Sequence, residues 1–210
     1  MSFGDKERRG WVLYLLARLL FLSGRDIAAA SSLTQQSLTL LQEIDNPWKR
    51  AYPLVLLGQI TLQQDEQAQV RDLFEESRST FKDVGDQGGE AEALIELAGV
   101  AAMQGDFVAA RDLYHESFKI TQGIQYHELS PSCLEALATV AVEQGEPVRA
   151  AHQWGAAEAL CEAIGTPLPR VYRTGFQQTV TAARSQLGEE DFATAWAQGR
   201  SMDSSRPFRV

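Results

Sequence analysis

Cysteine, histidine and basic charge are all scarce in this 210-residue chain, which carries two Cys, three His and 19 Lys plus Arg against 28 Asp plus Glu. Two cysteines cannot build a disulfide framework, and Cys133 and Cys161 fall in the two helices of one predicted hairpin, where reduced, packed thiols are expected. The histidines His115, His127 and His152 have no second ligand at metal spacing: HExxH, CxxC and clustered Asp-x-Asp are all missing, so no metal site is expected. A net charge of -9 and a pI near 4.9 speak against a phosphate-backbone partner, because nucleic-acid affinity rests on clustered Lys and Arg. Long apolar runs are missing too. The stretches around Trp11 to Leu22 and Ala98 to Met103 are interrupted by Arg18 or fall short of the roughly 20 residues a membrane span needs. The basic start MSFGDKERRG runs straight into an amphipathic helix without an apolar signal core, so a cytoplasmic protein is expected.

Catalytic signatures are equally sparse. There is no Gly-x-Ser-x-Gly elbow, and GDQGGE lacks the Gly-Lys-Ser/Thr ending of a phosphate loop. Glu75-Glu76 and Glu189-Glu190 are adjacent on helices, point about 100° apart and cannot converge on one substrate atom. No enzyme, and no cofactor, is expected.

What the chain does have is one pattern written four times. Leu57, Leu97 and Leu137 align at a period of 40, and with them Ile60, Val100 and Val140, then Asp65, Gly105 and Gly145, then Val70, Ala110 and Ala150. An earlier copy fits at 41 for its first half (Leu16 on Leu57, Leu19 on Ile60) and at 40 for its second (Ala30 on Val70, Ser37 on Ser77), which places one extra residue in the turn at Ser23 to Asp26. Within each copy, apolar residues recur at i, i+3, i+4 and i+7 on both sides of a Gly- or Asp-bearing turn, the signature of two amphipathic helices, A and B. Asp26, Asp106 and Glu146 follow the turns as caps or first-turn acids. Gly58, Ala98 and Ala138 share a column in which a small residue lets helix B approach helix A. The recurring Ser37, Ser77 and Ser117 are read as packing one tight spot in each repeat.

The predicted fold is all-α: a right-handed superhelical solenoid of about four helical hairpins (about 5–44, 47–84, 88–123 and 128–164) with a C-terminal capping helix pair (169–198), forming one domain over 1–200 before a frayed tail at 201–210. A solenoid of this kind is usually a binding surface, and the groove lined by the A helices is the expected one. Counting from the aligned leucines, three columns should project there: two residues after (Arg18, Gln59, Gly99, Thr139), two before (Tyr14, Val55, Ile95, Glu135) and five before (Trp11, Tyr52, Glu92, Ser132). Trp11, Tyr14, Arg18, Tyr52 and Gln59 make one end aromatic and weakly basic, whereas Glu92, Glu135 and Glu143 make the other acidic. That gradient suits an extended peptide or a small amphipathic ligand. In the competing reading, Trp11 and Tyr14 cover an open N-terminal end or pack on another repeat.

Leu57-Gly58, Leu97-Ala98 and Leu137-Ala138 at the centre of helix A, Gly-Asp or Gly-Glu turns and A-x-x-L/Y on helix B resemble the tetratricopeptide repeat, here lengthened from the usual 34 residues. GDFVAARDLYHESFKI, AAHQWGAAEALCEAIGTPLP and LGEEDFATAWAQGRSM are similar to the C-terminal repeat region of LuxR-type and MalT-like signal-transducing ATPase regulators. That resemblance implies a non-catalytic sensor or interaction arm binding a protein, a peptide or a small inducer. The chain departs from that family in having no Walker A lysine motif and no helix-turn-helix signature. The alternative is a stand-alone repeat adaptor that recruits a peptide or forms a homodimer through its N-terminal end.

Overall fold

The computed structural model describes residues 3–44, 46–63, 69–124, 129–165 and 173–202. Among them are ten α-helices and no strands: α1 (Phe3–Ser23), α2 (Ile27–Gln42), α3 (Pro47–Gln63), α4 (Val70–Val84), α5 (Gln87–Met103), α6 (Phe107–Gly123), α7 (Ser130–Glu143), α8 (Pro147–Ile164), α9 (Arg173–Leu187) and α10 (Glu189–Arg200). The turn at Asp65, the link holding His127, the break from Thr166 to Arg170 and the tail beyond Met202 lie outside the described residues. The chain divides into two compact units, Met1–Leu97 and Ala98–Val210.

Helix ends follow from local chemistry. Asp26 accepts the backbone N–H of Ala29 at 2.8 Å, and Asp106 that of Ala109 at 3.0 Å, each satisfying a donor left free in a first turn. Glu146 makes no such bond and instead pairs with Arg149. After α5, Gly105 takes φ +78°, its N–H reaches Ala102 O at 3.0 Å, and Asp106 N–H reaches Ala101 O at 2.9 Å. This double closure needs a left-handed residue, which is why glycine recurs at the turn. Pro53 stands inside α3, where it removes one backbone bond to the preceding turn.

In the first unit α1 packs on α2 and α3, α2 on α3, and α3 on α4. Its core joins Tyr14, Ala17 and Ala30 to Leu56 and Ile60, with Phe74 and Phe81 fully buried from α4. Gly58 is required at its place, since a Cβ there would enter the ring of Phe74. In the second unit α7 packs on α6 and α8, and α9 and α10 pack on α8. Trp154, Phe192, Ala183 and Ala195 form its core, with Val180, Leu187 and Trp196 against it. Burial of an aromatic such as Trp154 contributes about 2 to 3 kcal/mol before ordering entropy is subtracted.

The recurring serines are all fully buried, yet each bonds differently. Ser37 Oγ donates to Gly10 O across to α1 at 2.7 Å, Ser77 Oγ to Leu73 O within α4 at 2.8 Å, and Ser117 Oγ meets Cys133 Sγ at 3.5 Å. Both cysteines are free thiols, and burial pushes that of Cys133 up to about 11.

Candidate functional site

The first unit gathers residues from α1, α3 and α5 into one polar and aromatic face. Its aromatic part begins with Trp11 and Tyr14 on α1, whose ring centroids lie 5.0 Å apart. Trp48 and Tyr52 on α3 join them: Trp48 stacks on Trp11 at 6.4 Å, Tyr52 meets Trp11 edge-on at 5.6 Å, and Phe81 closes on Tyr52 from behind at 4.8 Å. Lys49 Nζ sits 5.8 Å from the Trp11 ring centre and 2.9 Å from Glu7 Oε1, so a cation and its counter-charge border the shelf.

Its polar part centres on Asp86, the residue just before α5. Asp86 Oδ1 accepts the Gly89 N–H at 2.9 Å, while Oδ2 accepts both Trp48 Nε1–H and the Tyr52 hydroxyl at 2.6 Å each. Burial alone would raise this carboxyl, but the donors from Gly89, Tyr52 and Trp48 outweigh it and hold Asp86 below the usual carboxylate range. The same burial, with Asp86 opposite, raises the Tyr52 hydroxyl well above its ordinary value.

Beyond Asp86 lie Glu92 and Glu96, one helical turn apart on α5. Arg18 donates to the Tyr14 hydroxyl at 2.9 Å and approaches Glu92 at 3.6 Å. Glu96 Oε1 accepts from Gln59 Nε2 at 2.8 Å. Burial raises both carboxyls. Arg18 partly offsets it at Glu92; at Glu96 the Gln59 bond works against it, yet the group is pushed up to about 7.

Six of the eight residues proposed from the repeat register, Trp11, Tyr14, Arg18, Tyr52, Gln59 and Glu92, therefore lie in one connected group. Tyr14 is its floor at 3% exposure. The other two, Glu135 and Thr139, belong to the second unit. Glu135 is buried on α7; its Oε1 has no hydrogen-bond partner among the described residues, and burial pushes its carboxyl up to about 7. Thr139 is exposed and donates to Glu135 O at 3.1 Å.

Every residue two after or five before the aligned leucine is at least partly exposed, whereas of the four two before it Tyr14, Val55 and Glu135 are buried and Ile95 is partly exposed. Sequence reasoning passed over Trp48, Lys49, Asp86 and Glu96. Trp48, Lys49 and Asp86 lie in what read as links; the one signal was the spacing of Trp48 and Lys49 to Tyr52 and of Glu96 to Glu92, three or four residues along each helix, and Asp86 had none. His152, mid-helix in α8, bonds Gln198 on α10 at 2.9 Å.

No family model and no curated protein matches the sequence. Solved structures do. The TPR-like repeats of a Podosopora anserina protein named for kinesin light chain, in a single-substitution variant, match with a TM-score of 0.65 at 15% identity, over 96% of this chain and 96% of that one. A second structure of those repeats gives 0.64 at 15% identity, covering 93% and 95%. Aspartyl phosphate phosphatase F from Bacillus subtilis matches with a TM-score of 0.70 at 9% identity; 98% of this chain spans 64% of that one. At such identities the shared property is the fold, and the fold is an all-α, TPR-like helical repeat of the solenoid class. Among the described residues no helix is long and apolar enough to cross a membrane.

Proposed function

We propose that this chain is a non-catalytic binding domain whose first unit takes an extended peptide or protein segment bearing a basic side chain. The observation that carries this reading is the placement of Glu92 and Glu96, both with raised carboxyl pKa, beside the half-buried Trp11 and Tyr52 of the aromatic shelf. An aromatic shelf offers apolar area at low entropic cost, and two partly desolvated carboxylates favour a cation over any anion. The helical repeat supplies the rest, because stacked A helices present side chains at fixed intervals to an extended ligand.

The finer assignment is a cytoplasmic regulatory or sensor arm of a bacterial transcriptional regulator, with a protein, peptide or small inducer as its ligand. Its support is the resemblance of GDFVAARDLYHESFKI and LGEEDFATAWAQGRSM to LuxR-type and MalT-like regulators. The binding face serves a stand-alone adaptor equally well, and the open reading frame upstream of Met1 distinguishes the two: an ATPase module there favours the regulator.

The face is tested with an array of immobilised peptides varied in basic and acidic content, probed with the wild-type chain and with a Glu92→Gln, Glu96→Gln variant. Selection of basic peptides by the wild type, lost in the variant while its circular dichroism melt is retained, is the expected result. Equal retention of acidic and basic peptides by both proteins overturns the reading.

A further inference from the structure

We infer, resting on the binding role proposed above, that the bound segment carries an apolar side chain and an arginine about three to five residues apart. The apolar side chain sits on Trp48 and Tyr52 of α3, and the arginine on Glu92 and Glu96 of α5.

These two seats differ in what they have left to offer. Trp48 is 39% exposed and Tyr52 partly so, and the two rings meet edge-on at 6.1 Å. Their polar tips are spent, because indole N–H and hydroxyl both donate to the same Asp86 oxygen. The place for a cation beside the indole is filled too: Lys49 Nζ stands 6.0 Å from the Trp48 ring centre and is paired with Glu7. What the rings still present is apolar area, which an aliphatic or aromatic side chain covers.

Glu92 and Glu96 have the opposite balance. Among the described residues Glu92 accepts no hydrogen bond, its contact with Arg18 being 3.6 Å long, and Glu96 accepts one, at Oε1 from Gln59. Three of the four oxygens therefore lack a donor there, and the single cation Arg18 leaves the pair with net negative charge. One turn apart, the two carboxylates suit a guanidinium, whose five N–H groups in one plane can serve both, better than an ammonium that donates from a single point. A guanidinium is also the more weakly hydrated cation and keeps its charge when partly buried. Arg18 is the precedent within the chain, reaching Glu92 from α1 while bonded to the Tyr14 hydroxyl.

Two bonds between α3 and α5 set the distance between the seats. Trp48 reaches Asp86 at 2.6 Å, and Gln59 reaches Glu96 at 2.8 Å, so Asp86 marks the level of the rings. Glu92 and Glu96 follow Asp86 by six and ten residues. At the rise of an α-helix this places them about 9 and 15 Å along α5 from that level. An extended segment advances about 3.3 Å per residue, and about three to five residues cover the span.

Short Gly/Ser peptides carrying one leucine and one arginine, at every spacing from adjacent to about eight apart and in both orders, are titrated into the full chain at pH 8 with tryptophan emission as the readout. Affinity should peak at a spacing of about three to five and fall at least about tenfold when citrulline replaces arginine. Lysine in place of arginine, or glycine in place of leucine, should weaken it about threefold or more. A Glu96→Gln chain, checked by its melting curve, should lose the preference for arginine over lysine. Arginine selected without regard to spacing or to leucine, or lysine bound as tightly as arginine, overturns the inference and leaves the binding role standing. Failure of every peptide to bind, or citrulline as good as arginine, sinks both.

Discussion

Gly155 of α8 and Gly199 of α10 face each other's backbones, so that a Cβ on the first would enter the carbonyl of Trp196 and a Cβ on the second that of His152. Two helices can cross this closely only where both lack side chains at the contact. The crossing draws Trp196 within 6.3 Å of Trp154 and brings its indole N–H to Glu158 at 2.7 Å.

Gly155→Ala or Gly199→Ala should therefore lower unfolding free energy by about 2 to 4 kcal/mol, because rigid backbone, rather than a pliable side chain, must give way. Urea denaturation followed by tryptophan fluorescence checks this. A change under about 0.5 kcal/mol would show that the crossing relaxes freely.

Gly58→Ala meets the ring of Phe74 instead, and an aromatic ring can tilt. A smaller loss, about 1 to 3 kcal/mol, is expected. Gly4→Ala on α1 is the control: nothing lies within 4 Å of the new methyl, so helix propensity alone should act, adding up to about 1 kcal/mol.

Glu135 gives a pH signature. Its folded carboxyl is raised to about 7 by burial, so its contribution to stability is fully present below the unfolded value near 4.5 and is lost as pH rises through 7. Glu135→Gln should leave stability at pH 4 nearly unchanged and raise it at pH 8 by about 1 to 3 kcal/mol. Thermal melts of both proteins across that range check it, and parallel curves would refute the buried charge.

Asp86 behaves with the opposite sign. Its folded carboxyl is held below the usual range, so the stability it adds is present above the unfolded value and is lost as pH falls through the folded one. Asp86→Ala removes the acceptor for Trp48, Tyr52 and the Gly89 N–H together, and should cost about 2 to 4 kcal/mol at pH 7 while shifting tryptophan emission. Retained emission and stability would mean that water replaces the carboxylate without loss.

The hairpins were legible because period, small-residue column and turn glycine all say the same thing: Gly58 answers Phe74, and Gly105 has the positive φ that its place in the repeat demands. Less legible was the site. Helical counting assigns a direction to a side chain but not the height of what stands beside it, so the columns of Tyr14 and Tyr52 are both expected to project into the groove while Tyr14 is buried and Tyr52 half-open. Asp86 was hidden for another reason. A cap is recognised from its own helix, and nothing in that local pattern tells that the second carboxylate oxygen reaches α3.

The three recurring serines carry a consequence for the repeat as a unit of inheritance. One residue type holds the same place in three hairpins, yet it answers to a backbone carbonyl on another helix, to one in its own helix, and to a thiol. Copies that began as interchangeable parts have become fitted ones. Transplanting the hairpin with Ser37 into the place of the one with Ser117 would carry Gly10 along, keep the hydroxyl on that carbonyl, and leave Cys133 facing a stranger.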